Sequence, residues 1–192
     1  NTPEAVPSAL FLFSLGHIPL PLTVMQILAI DLGTDMVPAL GLGVEPPEEG
    51  VMDKPPRRLS DRLLNRQLLL KAFAWYGMIE SVLAMGAFFL NYWVNQGHLN
   101  HLASSGPLYR EATTMTLGAI IFTQIGMVMN SRKGRGSIFK IKPFANKIIS
   151  LGIVLEIILF IILSYVPLFH TLFNTAPIGF DDWLYLLVCP FI

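Results

Sequence analysis

Apolar and polar residues in this chain follow neither a strand period nor an amphipathic-helix period; they segregate into blocks. About twenty consecutive apolar residues are needed to carry a helix across a hydrocarbon core ~30 Å thick. Four blocks meet that length, at 22–42, within 63–94, at 112–130 and at 148–166. Two more are partial: 6–15 reads as the second half of a cut helix, and 183–192 as the start of another. The pattern predicts an all-α fold, a polytopic transmembrane helical bundle of about six spans, the first and last truncated, in one domain over 1–192. Short polar segments join the blocks. The first is a turn at 16–21, where a glycine and two prolines (Pro19, Pro21) disfavour continued helix. Trp75, Tyr76, Tyr92 and Trp93 suit membrane–water interfaces.

Composition agrees with this reading. Hydrophobic residues make up 53% of the 192 and charged residues 14%, against about 25% charged in soluble domains. Mean hydropathy is +0.58. The net charge is zero, but the basic residues cluster. Lys54, Arg57, Arg58, Arg62, Arg66 and Lys71 surround one loop, and Arg132, Lys133, Arg135, Lys140, Lys142 and Lys147 another. Two spans separate these loops, so both lie on one side, which the positive-inside rule makes cytoplasmic. Nucleic acid is excluded as a partner, because the clusters flank spans and no aromatic reader module accompanies them; the partner implied is the lipid bilayer. Cys189 is the only cysteine, so there is no disulfide framework or thiolate metal site. His17, His98, His101 and His170 have no spacing that builds a metal centre. The chain opens without an initiating Met or a signal peptide and ends inside an apolar run, and is expected to be a fragment.

The candidate chemistry lies in carboxylates placed where a membrane protein normally avoids them. Glu4, Asp31, Asp35, Glu80 and Glu156 fall within or at the ends of spans. An Asp at a helix centre costs about 2.5–3.5 kcal/mol to insert, so such groups face each other, water or a cation. Asp31 and Asp35 share a helix face four residues apart, and two like charges that close call for a cation between them. Gly33 and Pro38 allow local unwinding that frees carbonyls, as in the broken helices of ion transporters. With Thr34 the set is all oxygen, suited to hard cations and not to zinc or copper. Gly118, Gly126 and Gly152 mark expected close helix contacts.

Ile30-Asp31-Leu32-Gly33-Thr34-Asp35-Met36-Val37-Pro38-Ala39 resembles the sixth transmembrane helix of P-type ATPases of the sodium/potassium and calcium pump group. Pro46-Pro47 and Met52-Asp53-Lys54-Pro55-Pro56-Arg57 resemble the cytoplasmic loop that follows it there. The resemblance runs from inside the family's fifth helix to the start of its tenth. It implies that Asn1 and Glu4 (fifth helix), Asp31 and Asp35 (sixth), Gln124 (eighth) and Glu156 (ninth) hold the transported cation, Na⁺, K⁺ or Ca²⁺, beside the Thr34 hydroxyl already read as part of the site. Gln124 and Glu156 are also polar exceptions in their own spans. The resemblance further implies that residues 43–62, with Asp53, Lys54, Arg57 and Arg58, form a coupling loop to the phosphorylation domain.

The chain departs from the family pattern at several points. Met127 stands where the sodium pump has an acid of its third sodium site. Asp31 stands where calcium pumps have Asn, whereas the proline-rich loop is closer to calcium pumps. The short 95–110 loop implies no beta subunit. Asp-Lys-Thr-Gly-Thr, which carries the family's phosphorylated Asp, is absent. ATP and Mg²⁺ are therefore expected to act only through domains outside this chain, whose partners are the first four helices and cytoplasmic domains of the same pump. Two other readings remain: a secondary transporter or channel using the same carboxylates without ATP, which would carry inverted repeats that are not seen, and a non-pumping remnant retained as a membrane anchor. The lean loops lead to the expectation of a prokaryotic plasma membrane.

Overall fold

The computed structural model describes residues 18–34, 36–44, 66–96, 102, 104–131 and 146–192, and among these it contains helices and no strand. Helix α1 (Val24–Ala29), a π-helical turn (Ile30–Thr34) and α2 (Met36–Gly43) make the first described span. The second begins with α3 (Arg66–Leu69), widens into a π-helical stretch (Leu70–Tyr76) and continues as α4 (Gly77–Gln96). Helices α5 (Pro107–Ser131) and α6 (Lys147–Tyr165) are the third and fourth. These four helical stretches are long and apolar enough to cross a membrane. Beyond them lie the short α7 (Pro167–Phe173), α8 (Phe180–Val188) and a 3₁₀ turn, Cys189–Phe191. The expected partial span at 6–15 lies outside the described residues, whereas the one at 183–192 is α8 with its 3₁₀ turn.

Local sequence explains the helix ends. Thr23 and Gln26 form a reciprocal capping box, Thr23 Oγ1 accepting from Gln26 N at 3.3 Å and Gln26 Oε1 from Thr23 N at 3.0 Å. Pro107 opens α5, where its missing N–H costs nothing. It follows Gly106, whose φ of 101° is a left-handed conformation suited to glycine. Val166 ends α6 in an extended conformation, as a residue before proline prefers. Pro167 then starts α7, which Asn174 closes in the left-handed region at φ 55°. The sequence pattern leaves 167–182 as a loop; seven residues are too short for an apolar block to reveal this helix.

Helix α5 is the centre, with every residue from Ala112 to Thr123 buried. Four threonines would be costly there if their hydroxyls lacked partners. Each donates to its own helix: Thr113 and Thr114 to Arg110 O, Thr116 to Ala112 O, and Thr123 to Ala119 O. Phe122 of α5, Phe160 of α6 and Trp183 of α8 then meet edge to face at 5.7–6.0 Å between ring centroids.

Neighbouring spans are antiparallel. Asn130 donates to the Tyr76 hydroxyl at one end of the α4–α5 pair, while Tyr92 packs with Ala112 at the other. A Cβ on Gly33 would meet Leu159, one on Gly152 would meet Pro38, and one on Gly41 would meet Ile149. The first span therefore runs down α6 in opposite direction. Glycines 118 and 126 also mark close approaches, to Phe160 and Leu186 and to Pro190 respectively.

Candidate functional site

The site forms where the first span departs from regular α-helix. Ile30–Thr34 is a π-helical turn; single π turns of this kind are frequent at functional sites. The expected unwinding around Gly33 is therefore a widening of the helix. Thr34 Oγ1 donates back to Ile30 O at 2.8 Å, which closes the turn from the inside. Pro38 has no N–H, so it cannot return the usual helix bond to the Thr34 carbonyl four residues earlier. The inward face of this span is Ile30, Thr34, Pro38 and Gly41, all buried. Leu28, Leu32, Met36 and Leu40 are exposed at four-residue spacing, an apolar stripe turned away from the bundle. Asp31 lies between these faces and is half-buried.

Helix α6 contributes a second polar exception. Its inward stripe, Ile149, Gly152, Glu156, Phe160 and Leu163, holds one carboxylate among apolar residues. Glu156 is 3% exposed. A carboxylate buried that deeply needs a compensating positive species or a proton. From α5 comes Gln124, whose buried Oε1 has no hydrogen-bond donor among the described residues. Gln124 and Glu156 line one open pocket of about 280 Å³ together with Pro38 and Leu42 of α2 and Met127 and Ser131 of α5. The cavity thus unites α2, α5 and α6 toward the Gly43 and Ser131 ends, the side of the two basic loops. Gln124, Ser131 and Glu156 each bring a side-chain oxygen to this mostly apolar lining, the ligand atom a hard cation takes. Among the described residues no group of three or more His, Cys, Asp and Glu side chains could hold a metal by itself.

The structure thus brings Gln124 and Glu156 together, with Thr34 buried one turn before the Pro38 wall. Asn1, Glu4, Asp35, Asp53, Lys54, Arg57 and Arg58 lie outside the described residues. Glu80, another of the carboxylates within the spans, is buried at 6% exposure. Three polar anchors were missed. Gln26, fully buried, donates from Nε2 to Thr113 Oγ1 at 3.3 Å and fixes the start of the first span to α5. Asn91 donates to Asp182 of α8 at 3.4 Å. Asn146 joins α6 to the end of α2. Polar residues inside or beside apolar blocks were the available signal, but their partners are 87 to 105 residues away.

In comparisons with known proteins, residues 19–192 match the family described as cation transporting ATPase, C-terminus. The chain is similar to calcium-transporting ATPase 1 of Saccharomyces cerevisiae, at 29% identity over 188 residues, 98% of this chain and 19% of that protein. It is similar to the sodium/potassium-transporting ATPase subunit alpha of Hydra vulgaris, at 32% over 210 residues, 96% of this chain and 20% of that protein. A shorter match to sodium/potassium-transporting ATPase subunit alpha-3 of Gallus gallus reaches 47% over 90 residues, 46% of this chain and 8% of that protein. The chain spans about a fifth of the length of the first two relatives.

Proposed function

This chain belongs to the cation-transporting P-type ATPases and carries their C-terminal membrane region; from that premise we propose that it is the ion-binding and ion-translocating domain of an ATP-driven cation pump. The observation that carries the reading is the cavity where Gln124 and Glu156 meet beside the π turn of Asp31 and Thr34. Buried acceptors on three helices, next to a helix whose backbone pairing is already interrupted, are what a site for a dehydrated cation requires.

In this reading Asp31, Asp35, Thr34, Gln124 and Glu156 are the ligands in this part of the chain, with Asn1 and Glu4 completing the set from the preceding helix. The 43–62 loop, through Asp53, Lys54, Arg57 and Arg58, passes motion from a phosphorylated cytoplasmic domain to α2. ATP and Mg²⁺ act on that domain, outside this chain. The membrane location is multi-pass. The relatives named above come from yeast, Hydra and chicken, and they lend no support to a prokaryotic plasma membrane.

For the ion, Asp31 favours a monovalent, sodium-pump-like site, with Met127 removing one acid from the cavity wall. Ca²⁺ is the second reading, favoured by the Pro-Pro and Asp-Lys-Pro-Pro-Arg loop. The test is phosphoenzyme formation from ATP by the full-length protein, with Na⁺ and Ca²⁺ varied separately and Asp35→Asn as control. Stimulation by Na⁺ that the variant loses supports the first reading, and stimulation by low Ca²⁺ supports the second. Absence of any cation-dependent phosphoenzyme would sink the pump assignment.

A further inference from the structure

The cytoplasmic end of the first span is fastened to α6 by one side chain. Asn146 Oδ1 accepts from Ile148 N at 3.0 Å and Ile149 N at 3.2 Å, capping the first turn of α6. Its Nδ2 donates to Gly41 O at 3.0 Å, in the last turn of α2, where carbonyls have no partner within their own helix. One amide thus satisfies donors of one helix and an acceptor of another. A carboxamide carries both functions on one planar group.

The backbones around this amide are in close approach. A Cβ on Gly41 would lie 2.6 Å from Ile149 Cγ1 and 3.1 Å from its backbone N. One turn further along α6, Gly152 leaves room for the Pro38 ring, which a Cβ there would meet at 3.3 Å. Glu156 follows one more turn on, facing the cavity that Pro38 also walls. The register of α2 on α6 therefore sets the distance from Glu156 to the opposite wall. Asn146 pins that register at the end where the chain leaves α2.

We propose that Asn146 is a positioning residue of the cation site: its bond to Gly41 O holds α2 in the register on α6 that favours cation binding. The inference rests on the pump reading above. Asn146 touches no ion; it acts through Pro38 and Glu156, and a displacement of the segment after Gly43 reaches the cavity through the Gly41 carbonyl.

Asn146→Asp separates this role from simple helix capping. Asp caps as well as Asn but cannot donate to Gly41 O. In the full-length protein, Asn146→Asp keeps the α6 cap, so its thermal unfolding midpoint should fall only by the loss of the Gly41 bond. Its half-saturating cation concentration for phosphoenzyme formation should rise about two- to twelve-fold, the worth of one hydrogen bond. Asn146→Ala, which loses both functions, should shift both readouts. An unchanged half-saturation in Asn146→Asp, whatever its melting, overturns the proposal. So does a shift reproduced by Trp183→Phe, a substitution remote from the contact, at matched loss of stability. Failure of wild type itself to form a cation-dependent phosphoenzyme removes the pump reading and this inference with it.

Discussion

Gly126→Ala should destabilise the bundle while Gly43→Ala should not, although both exchange a helical glycine for the best helix former. A Cβ at Gly126 would run into Pro190 O and sit 2.8 Å from its Cα and 3.0 Å from its carbonyl carbon. These are backbone atoms, and the 3₁₀ turn that carries them is anchored by Cys189, 2% exposed. Relief requires that turn to move by about 1 Å, since carbon contacts settle near 3.5–4.0 Å. Overpacking of this kind costs about 1–3 kcal/mol, set against a gain of up to about 1 kcal/mol from helix propensity. At Gly43 none of the described residues lies within 4 Å of the added methyl, so among them only the gain remains. The two variants should therefore differ by about 1–3 kcal/mol. At about 2–4 °C per kcal/mol for a chain of this size, thermal unfolding in detergent micelles resolves most of that range. Equal stabilisation by both substitutions would mean that α5 and the Pro190 turn are not in contact and that the packing described at this end of the bundle is wrong.

Two further substitutions probe the core and the cavity. Phe160→Ala removes a fully buried ring from contacts with Phe122 and Trp183; it should cost about 3–5 kcal/mol in reversible unfolding by detergent titration, and a loss under about 1 kcal/mol would contradict the edge-to-face cluster. Met127→Asp places a second carboxylate on the cavity wall with Glu156; it should lower the melting temperature without added cation and recover on addition of Na⁺ or Ca²⁺, whereas a loss indifferent to cation would argue against a site in that cavity.

The spans were legible because a bilayer demands long apolar blocks, and helices need little else to declare themselves. Gln124 and Glu156 were legible for a related reason, since a polar residue in such a block needs a local explanation. Their meeting in one cavity was not, because it depends on how α5 and α6 face each other. The same holds for Gly118, Gly126 and Gly152, which signalled close packing without naming Phe160, Pro190 or Pro38 as neighbours. Asn146 stayed hidden in a basic loop. Its composition matches an ordinary helix cap, and only the tertiary position of the Gly41 carbonyl gives its amide a second use. The π-helical turn at Ile30–Thr34 was half legible: Gly33 and Pro38 announce an interruption, but widening and unwinding satisfy the backbone differently and sequence does not choose between them.

Packing differs on the two sides of the cavity, and that difference indicates which side can move. Helices α5 and α6 are joined through Phe122, Phe160 and Trp183, with α5 buried from Ala112 to Thr123. Close-packed interiors switch between discrete arrangements and do not deform continuously. Displacing these two helices would break that aromatic cluster and the polar ties around it. The first span has a π turn, a proline and an exposed apolar stripe over its middle. Side-chain hydrogen bonds tie it near its two ends, Gln26 to Thr113 and Gly41 to Asn146, with Gly33 and Pro38 packed on α6 between them. A helix held at both ends and interrupted between them can change its middle without sliding as a whole. Asp31 and Thr34 lie in that middle, before the Pro38 that lines the pocket with Gln124 and Glu156. In the pump reading, α5 and α6 therefore serve as the frame and the π turn as the element whose rearrangement binds or releases the ion. Stiffening that turn should slow ion exchange even where every ligand is kept.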